Sequence, residues 1–328
     1  MKRAEAIAVS ICLVAGACAH PSEQKIAYKG APYADYHQHL FSPSLAALMS
    51  PAPPAKPFQA ITASDLVTLL DAAGIKRALV LSAAYIWSQP RRKVENDYEK
   101  VKADNDWTAE QVALYPSRLV GFCSTNPVRE WALEEMARCA KNPNFHGLKL
   151  HFGNSVVDYH NPRHVEQVRQ VFTAANGYHW PIVVHMRATI SEKLPYGRDE
   201  ALIFLNEMLP AAPDVPVQIA HLAGAGGYDD PLVDQALAVF VEAIRRGDPR
   251  TRRLWFDVAA VVDSDAPPQQ LALIATRIRQ LGVRRILYGS DGASGANTPA
   301  ALWAKFQMLP LSVADFRTIA NNIPPYMR

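Results

Sequence analysis

Eight short apolar segments alternate with amphipathic helical segments along this chain of 328 residues. Several of these segments, such as 78–81 and 182–184, are apolar at every position, which is typical of parallel strands covered by helices. Eight such units in roughly 300 residues predict a closed (β/α)8 barrel, the TIM barrel, rather than an open doubly wound sheet. The chain carries no Gly-rich dinucleotide fingerprint and no GxxxxGK phosphate loop, which supports this choice.

The strand boundaries follow from the ends of the apolar runs, and Gly, Pro and Ser residues mark the boundaries of the helices. A Pro-rich loop after the first strand is long enough to cover a site. The helices are predicted over 64–74, 94–114, 129–141, from Pro162 onward, and over 199–209, 232–246 and 268–281. The strands are predicted over 33–40, 77–83, 119–124, 147–152, 182–185, 217–221, 254–259 and 285–288.

The N-terminus has the pattern of a targeting segment. Lys2 and Arg3 precede an apolar run over 6–17, which is too short to span a bilayer and has the proportions of a signal peptide. We therefore predict a signal peptide over 1–19, a linker over 20–32 and a single barrel domain over 33–328.

The sequence Ala-Gly-Ala-Cys that ends at Cys18 resembles a bacterial lipoprotein box, with Ala where Leu is usual. Cleavage before a lipidated Cys18 and cleavage by an ordinary signal peptidase both stay open. In either case the mature protein is predicted to be exported, as a periplasmic protein or as a membrane-anchored lipoprotein.

Composition and charge narrow the class of partner. The chain is 49% hydrophobic and 20% charged with a net charge of +3, which is typical of a globular domain with one large core. Its basic residues are scattered, so we predict a small-molecule partner and no nucleic-acid binding. A homo-oligomer stays open.

Cys123 and Cys139 fall on the third predicted strand and on the helix that follows it. A disulfide would suit an oxidising compartment. Two buried free thiols are the interpretation that we favour from sequence, and their spacing does not indicate a thiolate metal site.

Polar residues follow the apolar runs at the strand ends. His37 and His39 are two positions apart, so on an extended strand they point the same way. In a barrel, the C-terminal strand ends meet at one mouth. One histidine there is usually a hydrogen-bonded core residue, but ligand-type side chains from several strands indicate a shared site. The other strand ends supply Lys149, His151, His185, His221 and Asp291.

These motifs in this order resemble the amidohydrolase superfamily. The local contexts ADYHQHL, GLKLH, PIVVHM, IAHLAG and LYGSDG are closest to its amidohydrolase-2 branch, which contains hydrolases and aminocarboxymuconate-semialdehyde-decarboxylase-like lyases. The resemblance covers nearly all of the chain after residue 33. It implies that His37, His39 and His185 are metal ligands, and that Asp291 is a further ligand and the proton acceptor. His221 would orient the water or polarise the substrate carbonyl.

The resemblance implies a divalent metal ion at this site. Neutral imidazoles suit zinc, and three protein ligands leave a position for water, so Zn²⁺ is the ion we expect, with Mn²⁺ or another ion open. The ion would bring the pKa of the water towards about 7. Lys149, if carboxylated, could bridge a second metal, but we favour a single-metal site.

Two residues are candidates for substrate contacts. Arg187 lies two positions after His185 and could hold a substrate carboxylate in a bidentate fork, although a salt bridge at the rim explains it equally well. His151 could form a wall of the pocket.

The sequence thus predicts an exported metal-dependent hydrolase that uses metal-activated water on a small amide, ester or lactone. The first alternative is a metal-dependent, non-oxidative decarboxylase of a small carboxylic acid. The second is a non-catalytic binding protein, against which the full ligand set with Asp291 counts.

Overall fold

The strands form one parallel sheet whose order in space follows the order in sequence, β1 to β8. The computed structural model describes residues 28–52, 54–228, 231–292 and 297–327. The predicted (β/α)8 barrel is confirmed. Its strands are β1 Ala34–Gln38, β2 Arg77–Leu81, β3 Leu119–Ser124, β4 Phe145–His151, β5 Ile182–His185, β6 Val217–Ile219, β7 Leu254–Asp257 and β8 Ile286–Leu287.

Two backbone hydrogen bonds join the last strand to the first. The Tyr36 N–H donates to the Tyr288 carbonyl at 2.8 Å, and the Asp291 N–H donates to the His37 carbonyl at 2.8 Å. The second bond lies at the mouth of the barrel. It therefore fixes Asp291 beside His37 and His39, at the end of β1.

The helices surround the sheet. They are α1 Pro43–Met49, α2 Ala63–Ala73, α3 Asp97–Ala113, α4 Ala132–Cys139, α5 Phe152–Ser155, α6 Pro162–Gly177, α7 Arg198–Ile203, α8 Pro231–Arg245, α9 Pro268–Leu281, α10 Pro299–Phe306 and α11 Val313–Asn321. A π-helical turn, Phe204–Met208, continues α7. Among the described residues, no helix has the length and apolar character needed to cross a membrane.

Side chains alternate between two apolar clusters, as expected of strands with a covered outer face. On β2, Ala78 and Val80 belong to the large cluster under the helices. Leu79 and Leu81 belong to the small cluster inside the barrel, together with Tyr36, Phe122 and other residues. These inward side chains therefore fill the barrel interior below the polar residues at the strand ends.

An irregularity in β1 changes the direction in which the side chains of His37 and His39 point. Ala34 and Tyr36 belong to the inner cluster, so strict alternation would turn His37 and His39 outward. The register with β2 shifts between Asp35 and Gln38, which is the effect of a bulge. This shift allows Tyr36 to fill the floor while both histidines lie at the mouth.

The structure differs from the sequence predictions at two helices. The predicted loop after β1 contains the short helix α1, which Ser42 caps at its N-terminus and which has Pro43 in its first turn. The helix predicted to begin near Ser64 is instead capped by Thr62, through a capping box with Asp65. It ends at Gly74, which has a left-handed conformation, as predicted.

The preference for free thiols was wrong. Cys123 on β3 and Cys139 at the end of α4 form a disulfide, with an S–S distance of 2.01 Å. Helix α4 packs back on its own strand and brings the two buried Cα atoms to 6.3 Å, within the range that a disulfide requires. The predicted signal peptide, and Cys18 within it, lie outside the described residues.

Candidate metal centre

Three histidines at the mouth are hydrogen-bonded through their Nδ1 atoms to oxygen acceptors. His37 Nδ1 lies 3.0 Å from Asp257 Oδ2, His39 Nδ1 lies 2.6 Å from the Leu81 carbonyl oxygen, and His221 Nδ1 lies 2.7 Å from the Ala259 carbonyl oxygen. A neutral imidazole that donates through Nδ1 has its lone pair on Nε2. All three rings therefore present Nε2 as an acceptor or a ligand.

Asp291 lies among these nitrogens. Its Oδ1 atom is 3.7 Å from His39 Nε2, and its Oδ2 atom is 3.8 Å from His221 Nε2. Asp291 has a φ of +54°, a left-handed conformation that is uncommon outside glycine and is often found at functional sites. Its side chain is 34% exposed, so the carboxylate can reach both the cluster and a molecule in the mouth.

Ligand atoms of His37, His39 and Asp291 all lie within 4.8 Å of one another. Burial lowers the pKa of His39 to about 3, so this ring is neutral at physiological pH. Three oriented nitrogen lone pairs beside a carboxylate are the donors that a divalent ion such as zinc requires. These residues therefore fit the metal that the sequence predicts.

Charge in the cluster favours the ionised form of Asp291. Burial raises the pKa of this carboxyl, but the electrostatic interactions with His37, His39, His221 and Lys149 together outweigh that effect and lower the pKa below its ordinary value. Asp291 is therefore an anion and can act as a ligand or accept a proton.

Lys149 lies directly against the histidine pair. It is 1% exposed, and its Nζ atom is 3.1 Å from His37 Nε2. Burial lowers the pKa of its amine to about 8, although the charges of Asp291 and Asp257 oppose this shift. The structure thus places Lys149 where the sequence expected it, and its role as a bridge to a second metal stays a prediction.

His185 and His151 stack on each other, with ring centroids 3.8 Å apart and an interplanar angle of 15°. The His185 ring is also 5.0 Å from that of His221. Within the part of the chain that the structure describes, His185 is not in the close ligand cluster that contains His37, His39 and Asp291. Its role as a metal ligand stays a prediction.

Arg187 is buried just beyond the end of β5. Its guanidinium group lies over the ring of Tyr196, with 4.6 Å to the centroid, and its Nη1 atom donates to the Ala188 carbonyl oxygen at 3.2 Å. Part of its hydrogen-bonding capacity is therefore used within the protein. Its predicted contact with a substrate carboxylate stays a prediction.

Asp257, the last residue of β7, supports the site from below. One carboxylate oxygen faces His37 Nδ1, and the other accepts the His221 N–H at 2.9 Å. Burial raises the pKa of Asp257, but the charge and hydrogen bond of His37 outweigh it, and the net pKa lies below the ordinary value. A single anion thus orients the imidazole of His37 and holds the main chain of His221.

A second buried network was missed from the sequence. Asp35 accepts hydrogen bonds from Ser290 Oγ at 2.5 Å, from the Ser290 N–H at 3.0 Å and from Gln38 Nε2 at 2.8 Å. These bonds tie β1 to the loop that carries Asp291. The only sequence signal is position, since Asp35 and Ser290 immediately flank the two motifs that we singled out.

A family comparison decides what kind of protein this is. The amidohydrolase family model (Amidohydro_2) matches residues 34–322, which is most of the chain. The chain belongs to the amidohydrolase family. This amidohydrolase is therefore an enzyme, and the resemblance inferred from its motifs is confirmed. No curated protein matches it with significant similarity.

Solved structures show the same fold. One is a probable 2-pyrone-4,6-dicarboxylic acid hydrolase from Acinetobacter baumannii with bound citric acid, at 16% identity and a TM-score of 0.55, covering 88% of this chain and 96% of that one. Another is a dihydroxybenzoic acid decarboxylase from Polaromonas with bound manganese and an inhibitor, at 16% identity and a TM-score of 0.57, covering 89% and 95%.

A third similar structure is an amidohydrolase from Burkholderia multivorans with bound zinc, at 10% identity and a TM-score of 0.58, covering 88% of this amidohydrolase and 96% of that chain. At these identities the similarity shows the fold alone. The set contains both hydrolytic and decarboxylating proteins, so it does not select between the two reactions.

Proposed function

We propose that this amidohydrolase is a metal-dependent hydrolase of a small amide, ester or lactone. The observation that carries the proposal is that His39 Nε2 and His221 Nε2 lie 3.7 and 3.8 Å from the Asp291 carboxylate, with each ring fixed through its Nδ1 atom. A ligand atom of His37, whose ring is also fixed through Nδ1, lies within 4.8 Å of those of His39 and Asp291. We assign the metal to His37, His39 and Asp291, with His185 as a further ligand.

When bound, a divalent ion supplies Lewis-acid polarisation of a carbonyl group and lowers the pKa of a nearby water. The protein's own residues then have distinct tasks. Asp291 accepts the proton of the attacking water at its carboxylate and passes it to the leaving group. His221 orients that water, because its Nε2 atom offers a lone pair 3.8 Å from Asp291 Oδ2.

We propose one ion, Zn²⁺, with Mn²⁺ as the alternative. Each Nδ1 atom is hydrogen-bonded to an oxygen, which leaves the Nε2 lone pair of each imidazole as a nitrogen ligand of the kind that zinc favours. Two bound ions would instead support a bridging role for Lys149.

The second candidate is decarboxylation of a small carboxylic acid. The cationic side chains of Lys149 and Arg187 beside the mouth favour a substrate that carries a carboxylate. A non-catalytic binding role is not retained, because the chain is an enzyme.

The test combines metal content with turnover. We expect about one equivalent of zinc per chain by elemental analysis, lost in His37→Ala and kept in the control His146→Ala, which alters an exposed histidine on β4. A screen of nitrophenyl esters, lactones, N-acyl amino acids and aromatic acids, with carbon dioxide monitored, separates hydrolysis from decarboxylation.

Asp291→Asn should lower turnover of the substrate found in that screen by about 10²- to 10⁴-fold, the usual effect of losing a proton-transfer group. Undiminished turnover in Asp291→Asn, or full activity after chelation of all divalent ions, would contradict the mechanism.

We also propose export, with either a free or a lipid-anchored N-terminus. The support is the basic and apolar pattern before Cys18. Mass spectrometry of the mature N-terminus, compared with that of Cys18→Ser, separates the two forms, and a full-length unprocessed chain would contradict both. Assembly into a homo-oligomer stays a prediction.

A further inference from the structure

The loop after β8 is hydrogen-bonded to β1 on both sides of Asp291. On the N-terminal side, the Ser290 N–H donates to Asp35 Oδ1 at 3.0 Å, and the Ser290 hydroxyl donates to Asp35 Oδ2 at 2.5 Å. The Asp291 N–H itself donates to the His37 carbonyl oxygen at 2.8 Å. The residue that carries the carboxylate of the site is therefore attached to the strand that carries the histidine pair.

Gln38 supplies the bond on the C-terminal side of Asp291. Its Nε2 atom donates to the Gly292 carbonyl oxygen at 3.2 Å, and it also lies 2.5 Å from Ser290 Oγ and 2.8 Å from Asp35 Oδ2. A carbonyl oxygen can only accept, so the amide nitrogen of Gln38, and not its oxygen, must face the loop. Gln38 is fully buried, and it is therefore a fixed donor between the two residues that flank Asp291.

The end of β8 approaches β1 so closely that a side chain does not fit just before this loop. A Cβ atom added at Gly289 would lie 2.7 Å from His37 Cβ and 3.3 Å from Ala259 Cβ. Carbon atoms in contact are normally about 3.5–4.0 Å apart, so a side chain at position 289 would push the loop away from β1. The bonds of Asp35 and Gln38 to the loop therefore depend on a close approach that glycine permits.

These bonds hold Asp291 in a conformation that it would not favour by itself. Its φ of +54° lies in the left-handed region, where the Cβ atom of any residue other than glycine is crowded. In this conformation its carboxylate oxygens lie 3.7 Å from His39 Nε2 and 3.8 Å from His221 Nε2. A return to an ordinary φ would move the carboxylate out from between the two rings.

We propose that Gln38 is a positioning residue that, together with Asp35, holds Asp291 in its left-handed conformation. The carboxylate of Asp291 is thereby kept between the rings of His39 and His221. The polar contacts of Gln38 Nε2 are with Asp35 and the loop, so Gln38 acts through Asp291. Its importance for turnover rests on the proposed function, which makes Asp291 a metal ligand and the proton acceptor.

Hydrogen exchange of the metal-free full chain tests these bonds without turnover. Gln38→Met keeps the length of the side chain and removes the donor. We expect the Asp291 N–H, measured in peptides that cover residues 286–292, to exchange about tenfold faster in Gln38→Met than in wild type, as loss of one hydrogen bond would cause. Tyr36→Phe is the control, because it removes a buried hydroxyl of the same strand, bonded to the Asn322 carbonyl oxygen, and should leave this exchange unchanged.

Ser290→Ala tests the same bonds with a smaller change. It removes one hydroxyl and adds no atoms, so it can be purified even if Gln38→Met is too unstable. Ser290 Oγ accepts from Gln38 and donates to Asp35, so its loss should also speed exchange of the Asp291 N–H, by about three- to tenfold.

Zinc affinity separates an effect on Asp291 from an effect on the histidines of β1. Chelator competition should give a Kd about tenfold higher for Gln38→Met than for wild type, because a displaced carboxylate binds the ion less well. In an Asp291→Ala background the carboxylate is gone, and Gln38→Met should then change the Kd no further. General loosening of the fold would instead raise the Kd in both backgrounds.

Unchanged exchange of the Asp291 N–H in both Gln38→Met and Ser290→Ala would overturn the proposal. A rise in the zinc Kd that is equal with and without the Asp291 carboxylate would also overturn it, since Gln38 would then act on the histidines. If the exchange changes as expected but the protein turns over none of the screened substrates, the holding of Asp291 is supported and only the proposed hydrolysis is refuted.

Discussion

At the scale of single residues, the partner of one ring nitrogen decides what a histidine can do. His39 and His221 donate through Nδ1 to carbonyl oxygens and expose a lone pair at Nε2. His151 accepts at Nδ1 from a main-chain N–H and exposes a hydrogen at Nε2. Histidines within the same mouth therefore differ in what their Nε2 atom offers, a lone pair in His39 and His221 and a hydrogen in His151.

Asp257→Asn should weaken metal binding. The carboxylate fixes the Nδ1–H of His37 at 3.0 Å, and loss of such an outer partner usually costs about 10- to 100-fold in metal affinity. Competition with a chromogenic zinc chelator measures this effect. Asp71→Asn, which alters an exposed carboxylate paired with Arg118, is the control and should retain wild-type affinity. Equal affinities in both variants would contradict the assignment of His37 as a ligand.

Asp104→Asn should change how stability depends on pH. Asp104 is 4% exposed and accepts a hydrogen bond from Ser42 Oγ at 2.5 Å, and burial raises its pKa from 3.8 to about 6. The folded protein therefore binds this proton more tightly than the unfolded chain does. The contribution of Asp104 to the free energy of unfolding is largest below about pH 4 and falls as the pH rises to about 6.

An asparagine at position 104 cannot ionise. The stability of Asp104→Asn relative to wild type should therefore increase between pH 4 and pH 6 and stay level above that range, as measured by urea unfolding at several pH values. A difference that does not vary with pH would show that the Asp104 pKa is not raised.

At the scale of elements, the disulfide attaches α4 to the strand that precedes it. It joins Cys123 and Cys139 over a sequence separation of 16 residues. Closing a loop of this length stabilises a folded chain by about 3 kcal/mol in the chain-entropy model. We expect the double variant Cys123→Ala and Cys139→Ala to lose about that much free energy of unfolding in urea.

The same experiment has an internal control. Wild-type protein unfolded in the presence of a reductant should show the stability of the double variant, because both lack the cross-link. Titration of two free thiols in the native, unreduced domain would contradict the disulfide.

At the scale of the whole molecule, Tyr326 at the barrel floor is linked through the barrel to the candidate metal centre. Tyr326 donates to Gln218 Oε1 at 2.5 Å, Gln218 Nε2 donates to Asp257 Oδ2 at 2.7 Å, and Asp257 accepts from His37. The chain thus connects a residue at the floor with the first predicted ligand at the mouth. Removing the tyrosine hydroxyl leaves the buried carbonyl group of Gln218 without this donor.

Tyr326→Phe should therefore raise the Kd for zinc, by about three- to tenfold, less than Asp257→Asn because the change is two hydrogen bonds further from His37. Chelator competition measures the Kd. Tyr36→Phe removes a hydroxyl from the same floor, bonded to the Asn322 carbonyl oxygen, and should leave the Kd unchanged. If both variants lose affinity equally, general loosening of the floor explains the loss better than the hydrogen-bond chain does.

The eight strands, their parallel order and the end of α2 at Gly74 could be predicted because they depend on local periodicity and on residues close in sequence. Strand-end position also identified His37, His39, His221 and Asp291, which the structure brings together.

Only the tertiary structure determined which atoms are bonded to one another across the site. The disulfide, the tautomers of the histidines and the bonds of Asp257 join groups that lie on different elements, up to 220 positions apart in the chain. Such contacts leave no periodic signal, since a hydrogen bond depends on where two atoms meet in space and not on their spacing in the sequence. The sequence by itself therefore determined which side chains reach the mouth of the barrel, and the packing of the closed barrel determined which atoms of those side chains are left to bind a metal or a substrate.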